Sequence, residues 1–183
     1  MPRVDTPLCD FGWKAPEFTL KDFDGNAYTM SEQIGENGLL IAFICNHCPY
    51  VIAIAERLAK DADALKAQGI NTLAVMSNDY KDYPADAPDK MKEFAEQYQF
   101  NFPYLVDEDQ SIGKLYGAVC TPDFFGFNKE GELQYRGRLD DKGRYDDPAG
   151  RKPELVEAMT LVAQTGNGPQ EQSASMGCSI KWR

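Results

Sequence analysis

The chain has 183 residues, with 29 acidic and 19 basic side chains, one histidine and a net charge of −10. Such a surface is expected to bind neither nucleic acid nor an anionic membrane, because both demand concentrated basic charge to release counterions. With 43% hydrophobic and 26% charged residues the composition is that of an ordinary soluble domain, and no apolar run approaches the roughly 20 residues of a membrane span.

The length predicts a single core burying about 70% of the unfolded surface. The opening "MPRVDTPLCDFGWKAPEF" lacks the continuous apolar stretch of a secretory signal, so the cytoplasm is the expected compartment. "APEFTLKDFDGNAYTM" reads as two short strands around an Asp-Gly turn, followed by a helical turn with Ser31 as N-cap. "GLLIAFIC" has the branched and aromatic run of a strand buried on both faces. Val51, Ile54, Ala55, Leu58, Ala62 and Leu65 then recur at helical spacing, predicting one amphipathic helix over 48–68 that ends at Gly69.

"INTLAVMS" is a second buried strand, and the acidic, proline-rich "NDYKDYPADAPDK" reads as a solvated connector. "PDKMKEFAEQYQ" is a helix with Pro88 in its first turn, "FPYLVD" a third strand and "SIGKLYGA" a short helix. "DFFGFNKEGELQYRGRLD" is a hairpin, and "KPELVEAMTLVAQTG" a final amphipathic helix. Alternating strands and helices with an antiparallel hairpin predict an α/β, three-layer sandwich around a mixed central sheet, the thioredoxin-like architecture with an N-terminal extension. The domain is expected to span 1–165. Residues 166–183 are expected to form a C-terminal tail, and the small, polar stretch at 165–177 is expected to be loosely ordered.

Five cysteines, at 9, 45, 48, 120 and 178, are an odd and scattered set, unlike a disulfide framework and more in keeping with catalysis or metal binding. Cys45 and Cys48 lie where a buried strand gives way to a helix, and unpaired amides at such a junction favour a thiolate. Cys45, at or just before the first helical position, is expected to be the exposed nucleophile. Cys48, one turn in, would resolve the mixed disulfide, and His47 between them would lower the thiol pKa when protonated. Thr121-Pro122 precedes a strand, and a proline there suits a loop facing the cysteines and the substrate. Cys120 and Cys178 are additional redox candidates. Cys120 reads equally as a small buried hydrophobe, and Cys178 as an inert thiol anchored by Ile180 and Trp182. A dozen residues of linker span up to about 40 Å, enough to return Cys178 to the pair. Cys9, in an N-terminus expected to be mobile, has no assigned role.

The C-x-x-C pair, the "APEFTL...DGN" opening and the Thr-Pro before "DFFGFN" together resemble the redoxin branch of the thioredoxin superfamily over residues 12–165. The similarity is to peroxiredoxin-like proteins of the AhpC/TSA type that carry a C-x-x-C motif, and the tail "GCSIKWR" resembles theirs. As a peroxiredoxin, the chain would use Cys48, followed by Pro49, as the peroxidatic cysteine. Members of that group place a threonine three residues earlier, here Cys45, and an arginine near 121–123, where this chain has none. Slow peroxide reduction is all that set implies. The thioredoxin-like reading cycles Cys45 and Cys48 and uses Thr121-Pro122, although the buried carboxylate of thioredoxins is missing from "LLIAFI" and their tryptophan is Ile44.

A third reading is a copper-delivery or zinc-binding module of the Sco type, with Cys45, Cys48 and Cys120 as soft ligands. Sco-like sites add a distant histidine, and the sole histidine here is inside the motif. The resemblance therefore implies an antioxidant-type thiol-disulfide oxidoreductase without assigned metal or cofactor. Its partners would be protein or small-molecule disulfides and thiols, with peroxide secondary, and a homodimer is compatible.

Overall fold

A computed structural model describes residues 2–183. Its organising element is β4 (Gly38–Phe43), whose residues are all buried. It pairs in parallel with β5 (Ile70–Met76) and antiparallel with β8 (Asp123–Phe127). Successive side chains of a strand point to opposite faces, and the core divides accordingly. Leu40, Ala42 and Ile44 join Leu58, Leu65, Met159 and Val162 on one face. Leu39, Ile41 and Phe43 join Met30, Tyr116, Phe125 and Phe127 on the other. The first layer is made by α3 (Ala55–Lys66), α4 (Pro88–Gln97) and α6 (Glu154–Thr165), and the second by α1 (Met30–Gln33), α5 (Ser111–Tyr116) and Trp13 of the N-terminal extension.

The main sheet has the order β3-β2-β6-β5-β4-β8-β9. Here β2 (Thr19–Asp22) and β3 (Ala27–Thr29) form the first hairpin, β6 (Tyr104–Val106) runs parallel to β5, and β9 (Leu133–Tyr135) closes the second hairpin. This is the mixed three-layer α/β sandwich expected. No helix among the described residues is long and apolar enough to cross a membrane.

Three expectations require correction. The helix over 48–68 is two helices, α2 (Pro49–Ile52) and α3, separated at Ala53 and Ile54. The apolar face runs through the break, with Val51, Ile54, Ala55 and Leu58 all buried, so periodicity alone reads it as continuous. Ser31 is not an N-cap. The first residue of α1 is Met30, and the Ser31 amide donates to Glu17 Oε1 at 3.0 Å.

The third correction concerns both termini. The supposedly loose tail forms β10 (Met176–Ser179), held antiparallel between β1 (Arg3–Asp5) and β7 (Cys120–Thr121) in a separate small sheet. Its last residues are hydrogen-bonded into the body. The Lys181 amide donates to Asn78 Oδ1 at 2.9 Å, and the Lys181 carbonyl accepts from the Asp79 amide at 2.8 Å. Cys9 is likewise half-buried rather than mobile.

Gly177 of β10 lies tight against the β7 backbone. A Cβ there would collide with the Thr121 carbonyl. Gly177→Ala is expected to cost about 1–3 kcal/mol by overpacking and to lift β10 from β7, detected as a lower Tm together with faster alkylation of Cys178. Wild-type stability and unchanged Cys178 labelling would contradict this account of the strand.

Candidate active site

The chain leaves β4 through Ile44, whose amide still bonds to the Val75 carbonyl at 3.0 Å, and crosses to α2 in a short loop holding Cys45, Asn46 and His47. Proline is favoured at the first helical position because its missing N–H would be unsatisfied there in any case. Pro49 takes that position, so Cys48 and not Cys45 is the N-cap. Neither cysteine is open to solvent: Cys45 is 1% and Cys48 0% exposed. The expectation of an exposed Cys45 is therefore overturned, because the loop that carries it is packed between Thr121 and the turn holding Asp86.

Thr121 lies against both sulfurs. Its Oγ1 is 3.6 Å from Cys45 Sγ and its carbonyl oxygen 3.2 Å from Cys48 Sγ, and the Thr121-Pro122 peptide is cis. Across β10, Cys178 is in register with Thr121 and interacts with Cys48. Cys120, also buried, donates its S–H to the Pro122 carbonyl at 3.5 Å.

The two central thiols are polarised in opposite senses. Cys48 is held well below the ordinary thiol value: the Cys45 S–H donates to it, and the Thr121 hydroxyl, the Cys178 thiol and the Cys178 backbone add support against the cost of burial. When protonated, Cys48 donates to the Thr121 carbonyl instead; several donors against one acceptor tip the balance to the thiolate. Cys45 is pushed upward by its hydrogen bond to Cys48, by burial and by the Asp86 carboxylate. Burial foremost, then the neighbouring Cys48, pushes Cys178 up to about 11. Burial, then Asp123, raises Cys120 further. Of the two central thiols, Cys48 is the one whose pKa is lowered.

Asp86 went unrecognised in the sequence. It ends a 3-10 turn, Pro84–Asp86, in the segment read as a solvated connector, and its side chain is fully buried beside the cysteine loop. Its Oδ1 accepts the Asn46 amide at 2.8 Å and its Oδ2 the Asn78 Nδ2 at 3.0 Å. The same Oδ2 is 2.7 Å from His47 Nδ1, and this contact raises the His47 pKa. Tyr83 stacks on the His47 ring, centroids 5.8 Å apart at 5°. The Tyr104 hydroxyl donates to Asn46 Oδ1 at 2.9 Å.

A carboxylate is therefore present at the pair, but it comes from the loop after β5 and not from the strand before Cys45. The two prolines of "PADAP" mark a turn; nothing local says that its aspartate faces inward. Cys45, His47 and Asp86 bring one donor atom each within 4.8 Å of one another, and these are the residues able to hold a metal ion.

Two further features bound the site. Arg136 approaches the loop at 121–123 but is committed to Asp123, with contacts of 3.0 and 3.3 Å, and to the Gly117 carbonyl at 3.0 Å. A cleft of about 100 Å³ opens beside Pro122, walled by Tyr50, Ile54, Phe124, Leu139 and Met176 among others.

Residues 11–136 match the AhpC/TSA family. The crystal structure of an uncharacterized conserved protein from Geobacillus kaustophilus superposes at a TM-score of 0.94 with 37% identity, covering 100% of this chain and 97% of that one. Peroxiredoxin Bcp of Escherichia coli (strain K12) is 26% identical over 132 residues, 72% of this chain and 80% of that protein. Thiol-disulfide oxidoreductase ResA of Bacillus thuringiensis is 26% identical over 132 residues, 68% of this chain and 67% of that protein. The family match runs from the N-terminal extension through both central cysteines and the Thr121-Pro122 loop to the end of the second hairpin, and the chain accordingly belongs to the AhpC/TSA family, as a redoxin of the thioredoxin superfamily.

Proposed function

We propose that the protein is a thiol-disulfide oxidoreductase that cycles Cys45 and Cys48 between dithiol and disulfide. The observation that carries this reading is the arrangement of the two buried sulfurs against Thr121, Cys45 Sγ 3.6 Å from its hydroxyl and Cys48 Sγ 3.2 Å from its carbonyl oxygen, with the Cys48 pKa lowered and that of Cys45 raised. The Cys48 thiolate attacks one sulfur of a substrate disulfide, whose S–S bond breaks and whose other half leaves as a thiol after taking a proton. Cys45 then gives up its proton to the His47–Asp86 pair and attacks the Cys48 sulfur of the mixed disulfide. The Cys45–Cys48 bond forms and the second substrate thiol departs.

This order reverses the one expected from the sequence, because the sulfur with the lowered pKa is the more available as thiolate. His47 and Asp86 handle the proton. Cys178, on the far side of Cys48, is an additional redox thiol able to compete for the mixed disulfide. The apolar cleft beside Pro122 suits small-molecule disulfides or disulfide-bearing peptides, and a working dithiol suits the reducing cytoplasm.

A second reading is favoured by the position of Cys48-Pro49 at a helix start and the likeness to a peroxiredoxin. Here the Cys48 thiolate attacks hydrogen peroxide, releasing hydroxide and leaving a sulfenic acid, which Cys45 converts to the disulfide with release of water. Arg136, bound to Asp123, is not free to orient the peroxide, so slow turnover follows. Peroxide consumption by the reduced protein at a rate matching its disulfide reduction would promote this reading.

In Cys45→Ser, turnover of a model disulfide such as oxidised glutathione is expected to stop with one mixed disulfide trapped on Cys48, identifiable by mass spectrometry. Cys48→Ser is expected to trap none. A stable adduct on Cys45 in Cys48→Ser would reverse the assigned order.

The pH dependence follows from the directions of the two shifts. A lowered Cys48 pKa means that its thiolate persists as pH falls below the ordinary thiol value of 9.0, so thiolate ultraviolet absorbance is expected in the wild type at neutral pH. Removing the Cys45 donor in Cys45→Ala should move that transition upward. An unshifted transition would show that Cys45 does not support the thiolate.

A further inference from the structure

A Sco-type site adds a distant histidine, and none accompanies the cysteine motif here. Folding brings a distant carboxylate instead, from the turn at 84–86. Cys45 Sγ, a ring nitrogen of His47 and a carboxylate oxygen of Asp86 lie within 4.8 Å of one another, two of the three residues being buried. Bonds of about 2.3 Å to sulfur and about 2.0–2.2 Å to nitrogen and oxygen set tetrahedral donors roughly 3–4 Å apart, so the 2.7 Å contact between His47 Nδ1 and Asp86 Oδ2 would open slightly and any wider separation, up to 4.8 Å, would close, both within reach of small side-chain rotations.

A second observation points the same way. Nε2 of His47 is buried without a hydrogen-bond partner, while Nδ1 is paired with Asp86 Oδ2 at 2.7 Å. Buried polar atoms are ordinarily satisfied. The groups that orient metal ligands elsewhere are in place, with Asp86 fixed by the Asn46 amide and Asn78 and the imidazole stacked on Tyr83.

We propose that the reduced protein binds one divalent cation of the zinc class through Cys45, His47 and Asp86, with the fourth position open. A mixed sulfur, nitrogen and oxygen set with three protein ligands suits zinc and its spectroscopic substitute cobalt(II). Binding withdraws Cys45 from the resolving step, so the cation holds the pair reduced and blocks disulfide turnover. Conversely, a substrate disulfide that accepts two electrons from Cys45 and Cys48, leaving as two thiols, removes the sulfur donor and releases the cation. The binding itself uses residues of the site but does not depend on the redox cycle.

The test is titration of the anaerobically reduced full-length protein with cobalt(II), followed by displacement with zinc(II). One equivalent is expected to give thiolate-to-cobalt charge transfer and visible bands of tetrahedral intensity. These signals should be absent from the disulfide form and from Cys45→Ser, and should persist in Cys48→Ser. Asp86→Asn should weaken binding by about 100-fold or more. His47→Gln provides the same reading if Asp86→Asn does not fold, as judged by circular dichroism.

Absence of charge transfer in the wild type would overturn the proposal. So would loss in Cys48→Ser with retention in Cys45→Ser, or wild-type affinity in a folded Asp86 or His47 variant. Disulfide turnover is assayed separately with a chelator present, so turnover without metal binding sinks only this inference, and metal binding without turnover sinks only the oxidoreductase reading.

Discussion

The site depends on the burial of one carboxylate. Asp86 is fully enclosed, and an ionised group out of water is tolerated only where hydrogen bonds and a counter-charge replace its hydration. Those replacements come from the residues between the two cysteines and from the end of β5: the Asn46 amide, the Asn78 side chain and the His47 ring. Satisfying Asp86 therefore sets the path of the loop from 45 to 47. That path makes Cys48 the N-cap on which the helix starts, and it leaves Cys45 beside Cys48 and under the carboxylate's field, both of which raise its pKa.

A second constraint acts from the opposite side. Short polar strands have little apolar surface of their own and gain order mainly by pairing. β10 pairs on both edges, with β1 and with β7, and so brings the two ends of the chain together over the cysteines. The buried Gln110 fastens the far end by donating to the Ser77 and Lys181 carbonyls, both at 2.8 Å. The terminal residues are thus the wall of the reactive sulfurs, with Cys178 and Thr121 in register on adjacent strands.

The Asp123–Arg136 pair governs the third side. Asp123 Oδ2 accepts from the Val119 amide at 3.0 Å as well as from Arg136, bracketing the segment that carries Cys120, Thr121 and Pro122. Arg136 also lies 4.3 Å over the Phe125 ring. An arginine of a peroxide-binding set would have to present its guanidinium to substrate. Here the group is buried in a structural pairing, consistent with a family likeness that extends to the framework more than to peroxide chemistry.

What the sequence by itself determined was whatever local order carries. The branched run of β4, the 3.6-residue spacing of α3 and α6, the hairpin of β8 and β9, and the cysteine pair ahead of Pro49 are each written within a dozen residues. Alternation of such segments leaves few ways to layer them. Only the tertiary structure decided which sulfur has its pKa lowered, that Asp86 faces inward, that the apolar stripe after Cys48 is broken at Ala53 and Ile54, and that the tail returns as a strand. Each of these turns on partners far away in the chain: 40 residues separate Asn46 from Asp86, and more than 50 separate Thr121 from Cys178. Burial and electrostatic fields act across space, and no periodicity in the chain records them.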